Sequence, residues 1–313
     1  MSSEITMNDD IPTGLLRFII ARVLALCQHS EYVAPMSRNN MKTEHTAAPT
    51  VIRPIHIGFI NWIGLSTLYK REVMRFVKIL SQTVAAPVIT TWLFLTVFAV
   101  AIGDRIDLMA EMDLLTFLAP GLIMMAVLQN AFANTSSSLV IGKVQGNIVD
   151  LIMPPLSAYE LFIGMVAAGI TRGVMVAIVA LITMPLLGIN IMPASIWAAI
   201  IFLLLGAGIM AVIGMIAGIW ADKFDSLATI TNFVIQPLVF LSGTFYTNDR
   251  LPDHVAVIAY INPIFYMIDG FRYAMTGYSS ASPLIGGLIL FLSMLMLSVF
   301  GIYLLKTGYK LKS

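Results

Sequence analysis

The chain alternates long apolar runs with short polar stretches. Six runs reach the roughly 20 residues that an α-helix needs to cross about 30 Å of hydrocarbon: 84–103, 114–133, 161–187, 194–220, 227–246 and 284–305. Upstream, residues 58–82 mix both kinds of side chain in a helical pattern. At about 100° per residue, Lys70, Arg71, Arg75 and Lys78 share an arc of roughly 140°, while Trp62, Tyr69, Val73, Phe76, Val77 and Leu80 fall mostly opposite. The pattern predicts an amphipathic entrance helix in the headgroup layer on the cytosolic side, cations outward.

The stretch 142–160, GKVQGNIVDLIMPPLSAYE, is neither apolar enough to span nor polar enough for a plain loop. Asn147 and Asp150 have the spacing of an N-cap and an acid at the third helical position, and Ile148, Leu151 and Ile152 follow at i, i+3 and i+4. Pro154 and Pro155 end the pattern. A short cytosolic helix that plugs into a partner and an ordinary connecting loop both fit. The segment 247–283 is too long for a turn and too apolar for a solvated loop. Runs at 255–261 and 264–268 flank Asn262 and Pro263, with Tyr260, Phe265, Tyr266, Phe271, Tyr273 and Tyr278 as interface markers. Two short helices dipping into the outer leaflet are expected there. A seventh crossing competes, but it would put the C-terminal lysines outside.

Cation counting sets the orientation. Arg53, Lys70, Arg71, Arg75, Lys78, Lys143, Lys223, Lys306, Lys310 and Lys312 fall on one side of a six-span layout, and Arg105, Arg250 and Arg272 on the other. Both termini are therefore expected in the cytosol. Residues 1–55 read as a poorly ordered tail, with Met36 or Met41 as alternative starts; the transmembrane domain is 56–313. Acids at Glu4, Asp9 and Asp10 and cations at Arg17 and Arg22 argue against a signal peptide.

Composition agrees with the pattern. The chain is 58% hydrophobic and 11% charged, against roughly 25% charged in soluble domains. It is expected to be an all-α integral membrane protein in contact with lipid. A net charge of +1 offers no field for nucleic acid. One cysteine, Cys27, and four scattered histidines give no internal disulfide and no expected metal site.

Chemistry is sparse. Arg172 is the one charge well inside a predicted span, at about 2.5 to 3.5 kcal/mol for insertion at the bilayer centre, with no acid inside any span to pair with it. It must face water, a carbonyl, a second subunit or an anionic ligand. Asn232 and Gln236 lie at i and i+4 beside Pro237, which suits a cavity wall, a subunit contact or local packing. Gly214 and Gly218 form a GxxxG. No GxSxG, HExxH or phosphate-loop motif occurs, so no catalytic residue is assigned and any ATP would bind another chain.

The run QPLVFLSGTFY from Gln236 to Tyr246, the pair Leu251 and Pro252, and NPIFYMIDGFRYAMTG from Asn262 to Gly277 resemble the C-terminal signature of type-2 ABC transporter permeases. MPPLSAYE from Met153 to Glu160 is similar to the segment after that family's coupling helix, and an arginine at the position of Arg172 recurs in it. The resemblance covers residue 58 to the end. It departs before the coupling helix, where relatives carry a glutamate-rich start and this chain has only Lys143.

The resemblance implies a bacterial inner-membrane exporter subunit, usually a homodimer, above two cytosolic ATPase subunits that hold ATP and Mg. Asn147, Ile148, Asp150, Leu151 and Ile152 would couple to the ATPase, and Asn262, Pro263, Tyr266 and Arg272 would belong to the outer re-entrant segment. An ion-gradient-driven secondary transporter is the alternative, although no buried acid or repeat supports it. A membrane-embedded enzyme would need a cluster such as Asp249, Asp253 and His254, which reads more simply as a solvated loop.

Overall fold

The computed structural model describes residues 60–102, 114–189, 191–245 and 260–310, and every regular element among them is helical. The N-terminal tail, the acidic stretch 104–113 and most of 255–261 lie outside the described residues.

Among the described residues, five helices are long and apolar enough to cross a membrane: Ser81–Ala101, Leu114–Val144, Ala158–Leu187, Ile196–Trp220 and Pro283–Thr307. In chain order the elements are α1 (Trp62–Val77), a π turn (Ser81–Ala85) leading into α2 (Ala86–Ile102), α3 (Leu114–Val144), α4 (Ile148–Ile152), and α5 (Ala158–Thr183) with a 3-10 turn to Leu187. Next come α6 (Ile196–Trp220), α7 (Phe224–Ile230), a second π turn (Thr231–Ile235), α8 (Gln236–Phe240), α9 (Pro263–Thr276) and α10 (Pro283–Thr307).

The bundle is built around α3, buried on nearly all sides, which packs most extensively on α6 and α5. Glycines permit the approach to α6. A Cβ at Gly214 would lie 2.3 Å from the carbonyl oxygen of Phe132, and one at Gly218 would lie 2.9 Å from that of Ser136. The GxxxG thus joins two helices of one chain, and Thr135 Oγ1 donates to Ala211 O at 2.7 Å across the same contact. By contrast, α2 and α10 expose most of their apolar surface, as expected of helices facing lipid.

The run 227–246 differs from its expectation. It is helical only at Phe224–Phe240, shorter than the other five. The hydroxyls of Ser242 and Thr244 turn back to the carbonyls of Leu238 and Val239, and Gly243 takes φ 72°, so side chains and a left-handed residue replace the helical ladder.

Two π turns interrupt helices ahead of prolines. The N–H of Ala86 reaches Ser81 O and that of Gln236 reaches Thr231 O, each one residue beyond α register. Pro87 and Pro237 then sit in a first helical turn, where the missing N–H costs little. Thr83 Oγ1 donates to the carbonyls of Phe76 and Ile79 at 3.1 Å each, adding a side-chain tie across the break before α2.

The outer segment is more deeply buried than expected. Asn262 caps α9 by accepting from Ile264 N at 3.1 Å, Pro263 fills its first turn, and Gly277 ends it at φ 80°. Phe271 packs in the main core cluster, and Phe265 is buried with its ring centroid 5.3 and 5.2 Å from those of Tyr260 and Tyr266. Tyr266 is only partly covered.

Candidate functional site

At the Lys143 end, three helix starts meet. The expected helix after α3 forms as α4, although the Asn147 side chain does not cap it. Its backbone carbonyl accepts from Asp150 N at 3.1 Å instead. Ile148 and Leu151 face inward, in one cluster with Leu68 of α1, Leu139 of α3 and Leu161, Phe162 and Met165 of α5. Val149, Asp150 and Met153 face outward, Met153 at 78% exposure. The side chain of Ile152 lies outside the described residues.

Glu160 holds this junction. Its carboxylate accepts from Ser157 N at 2.6 Å and from Asn61 N at 2.5 Å, closing a capping box on α5 while gripping the start of α1. Asn61 in turn caps α1 through Gly64 N at 2.9 Å and donates to Pro155 O at 3.2 Å. Spacing alone could have found half of this, because Ser157-x-x-Glu160 is a capping-box signature.

Nearby, Lys143 Nζ donates to Ile219 O and Ala221 O, stitching the end of α3 to the end of α6 where the helix dipole favours a cation. Lys310 donates to Trp220 O and Asp222 Oδ2, each at 3.1 Å. This hydrogen bond first, then the charges of Lys310 and Lys143, holds the Asp222 carboxyl below its usual pKa.

Further along α3 a polar face begins, and α1 supplies part of it. The stripe of α1 that meets the bundle is Leu68, Glu72 and Phe76. Glu72 is buried and accepts from Arg71 at 3.0 Å and Arg75 at 3.2 Å. Arg75 does not join the outward cation arc. It turns inward to Asn134 O at 2.6 Å, Asn134 Oδ1 at 3.2 Å and Ser137 Oγ at 3.1 Å, because those acceptors and Glu72 replace its water.

Arg172 finds a side-chain partner. Its Nε and Nη2 donate to Asn130 Oδ1 at 3.2 and 2.9 Å. Gln129 and Asn130 line two lateral recesses, of about 240 Å³ against α2 and about 260 Å³ against α7 and α8. Gln236 lines the second, beside Thr231 of the π turn. The structure thus brings Arg172 and Gln236 to one polar face, while Asn232 points outward.

Arg272 is not a loop cation. It is 1% exposed on α9, donating to Phe117 O at 3.3 Å, Gly243 O at 2.7 Å and Thr244 O at 3.4 Å, with its guanidinium 4.0 Å from the Phe117 ring centroid. Gly121 leaves room for it, since a Cβ there would lie 2.8 Å from Nη2. Asp269 accepts from Ser280 N at 2.9 Å and Ala281 N at 3.0 Å, fixing the turn between α9 and α10. Asn262 Nδ2 donates to Leu238 O and Ser242 Oγ, so α9 is tied to the end of α8.

Residues 64–276 match the family model of the ABC-2 type transporter. The chain is 36% identical over 235 residues to the inner membrane transport permease YadH of Escherichia coli K12, covering 74% of this chain and 91% of that one. It is 22% identical over 227 residues to nodulation protein J of Rhizobium leguminosarum bv. viciae, covering 72% and 86%. The family match takes in most of α1, the α4–α5 side of the junction and the polar face, and it does not favour a secondary transporter. The chain belongs to the ABC-2 type transporter family and is a type-2 ABC permease, the membrane subunit of an ABC transporter.

Proposed function

We propose that this chain works as a homodimer in a bacterial inner membrane, exporting cargo with energy from two separate cytosolic ATPase subunits that hold ATP and Mg. The chain crosses six times with both termini in the cytosol; α7 and α8 form the fifth crossing and the segment ending in α9 is re-entrant. Residues 1–55 are a tail outside the transport domain. The entrance helix α1 lies in the headgroup layer, and Asn147 to Ile152 contact the ATPase. Cargo passes the face formed by Arg172, Asn130 and Gln236. The supporting relative is itself named an inner membrane transport permease.

The junction at Glu160 carries this reading. A force applied to the outward side of α4 reaches α1 and α5 together, because Ile148 and Leu151 are seated among their side chains and one carboxylate binds both helix starts. Outward residues are the ones to test. Val149→Glu or Met153→Glu should leave the permease inserted and its ATPase active while transport in reconstituted vesicles falls at least about ten-fold. Transport by the lone chain under an ion gradient, without any ATPase, would sink the proposal.

A further inference from the structure

The polar face of α3 holds more hydrogen-bond donors and positive charge than its own surroundings satisfy. Among the described residues of the five membrane-length helices, Glu160 is the one acid, and both its oxygens are occupied at the junction. Glu72 on α1 is already shared by Arg71 and Arg75. Arg172 therefore has no carboxylate, and two of its N–H groups converge on one neutral oxygen. The charged neighbour it feels is Arg75, of the same sign.

Two amide donors nearby are buried without acceptors: Gln129 Nε2 and Asn134 Nδ2. The Asn134 orientation is fixed, because Oδ1 accepts from Arg75 and a flipped amide would set donor against donor. Asn130 is fixed likewise, with Oδ1 taken by Arg172 and Nδ2 donating to Ala126 O at 2.9 Å. A buried donor left unpaired is costly, and Gln129 Nε2, on the wall of both recesses, calls for an acceptor from outside. The recess walls on either side are mainly apolar, with Phe94, Leu122 and Met125 in one and Leu227 and Ile235 in the other.

We propose that the cargo is an amphiphile whose anionic, oxygen-bearing head, a phosphate or carboxylate, is taken by Gln129 and Asn130, which line both recesses, in the field of Arg172, while its apolar body lies in the recesses. This rests on the pathway role proposed above for the same face. The head supplies an acceptor to the unpaired Gln129 amide and a counter-charge to Arg172, and a cationic head would meet an arginine that has no carboxylate among the described residues.

The test uses the full chain in nanodiscs of zwitterionic lipid. An alkyl phosphate and an alkyl trimethylammonium of equal chain length, each with a diazirine on the chain, are photolysed and the labelled peptides mapped. The phosphate should label residues 122–137 at about ten-fold lower concentration than the ammonium, and Arg172→Gln should erase that preference. In the unmutated chain, unlabelled alkyl phosphate should compete and alkyl trimethylammonium should not, which decides the matter even where Arg172→Gln fails to assemble. Equal labelling by both probes, or a preference that survives Arg172→Gln, overturns the anionic head and leaves the pathway standing. Absence of label on this stretch from either probe overturns both.

Discussion

At the scale of single residues, burial decides what each charge does. Arg272 donates to three carbonyls in the core, so Arg272→Leu removes the side-chain donor to the Gly243 and Thr244 carbonyls, which lie outside any helix, at roughly 1–3 kcal/mol for each acceptor left unpaired. A loss of about 3 kcal/mol is expected, read as a lower melting midpoint in detergent; an unchanged midpoint would refute the staple. Arg272→Lys should rescue it only in part, since an ammonium lacks the fork and the flat face over Phe117. Asp222 predicts a pH effect. Because its folded pKa is lowered, its contribution is present above the ordinary aspartate value and disappears as pH falls through the lower folded one. The difference in midpoint between wild type and Asp222→Asn should accordingly vanish in acid, and a difference that grew there would contradict the assignment.

Arg172 stood out in the sequence because an apolar run surrounds it. Arg272 did not, because its run is short and charge counting treats such a residue as loop. A signal was present: Ile264, Ile268 and Arg272 recur every four residues, so the apolar stripe of α9 runs straight into the guanidinium.

At the scale of elements, the α3–α6 contact has no slack. Gly214→Ala should destabilise by about 1–3 kcal/mol, because the added methyl meets the Phe132 backbone rather than a movable side chain. Gly208→Ala is the control, since its nearest neighbour at 3.1 Å is the flexible tip of Met294. Equal melting of the two variants would refute the argument. The short helix α4 splits by face in the same way. Leu151→Glu should loosen the junction itself, whereas Met153→Glu should spare the fold; limited proteolysis near 142–160 separates these outcomes.

The apolar period located α4 and its end, but not which side faced inward, because both sides of IVDLI are apolar. Pro237 marked one break in the sequence. Pro87 marks a matching break before α2, with Gln82 and Thr83 just ahead of it, and the run of hydropathy that follows conceals it. The stop at Phe240 was hidden too, since Leu241 to Phe245 stays apolar enough to extend the run while its hydroxyls and Gly243 unwind it.

At the scale of the whole molecule, length and hydropathy made five of the six membrane-length runs legible, with the family resemblance behind them, because hydrocarbon leaves a chain few alternatives to the helix. The polar face of α3 was not legible. Its Gln129, Asn130, Asn134 and serines lie in one otherwise apolar helix and gain meaning only when Arg75 arrives from α1 and Arg172 from α5. The family match begins at residue 64. Deletion of residues 1–50 should thus leave membrane insertion and ATPase binding intact, and loss of both on co-purification would show that the tail belongs to the transport domain.

The brevity of Phe224–Phe240 reaches beyond the polypeptide. At about 1.5 Å per residue, its helical part is on the order of 25 Å long beside about 30 Å of hydrocarbon. In the fifth crossing proposed above, lipid tails alongside it would compress or tilt to meet it, a local pinch whose energy depends on acyl length. Vesicles of shorter-chain lipids should therefore relieve the mismatch and raise turnover, while longer chains suppress it, so the thickness of the host membrane becomes a control on the transporter's rate.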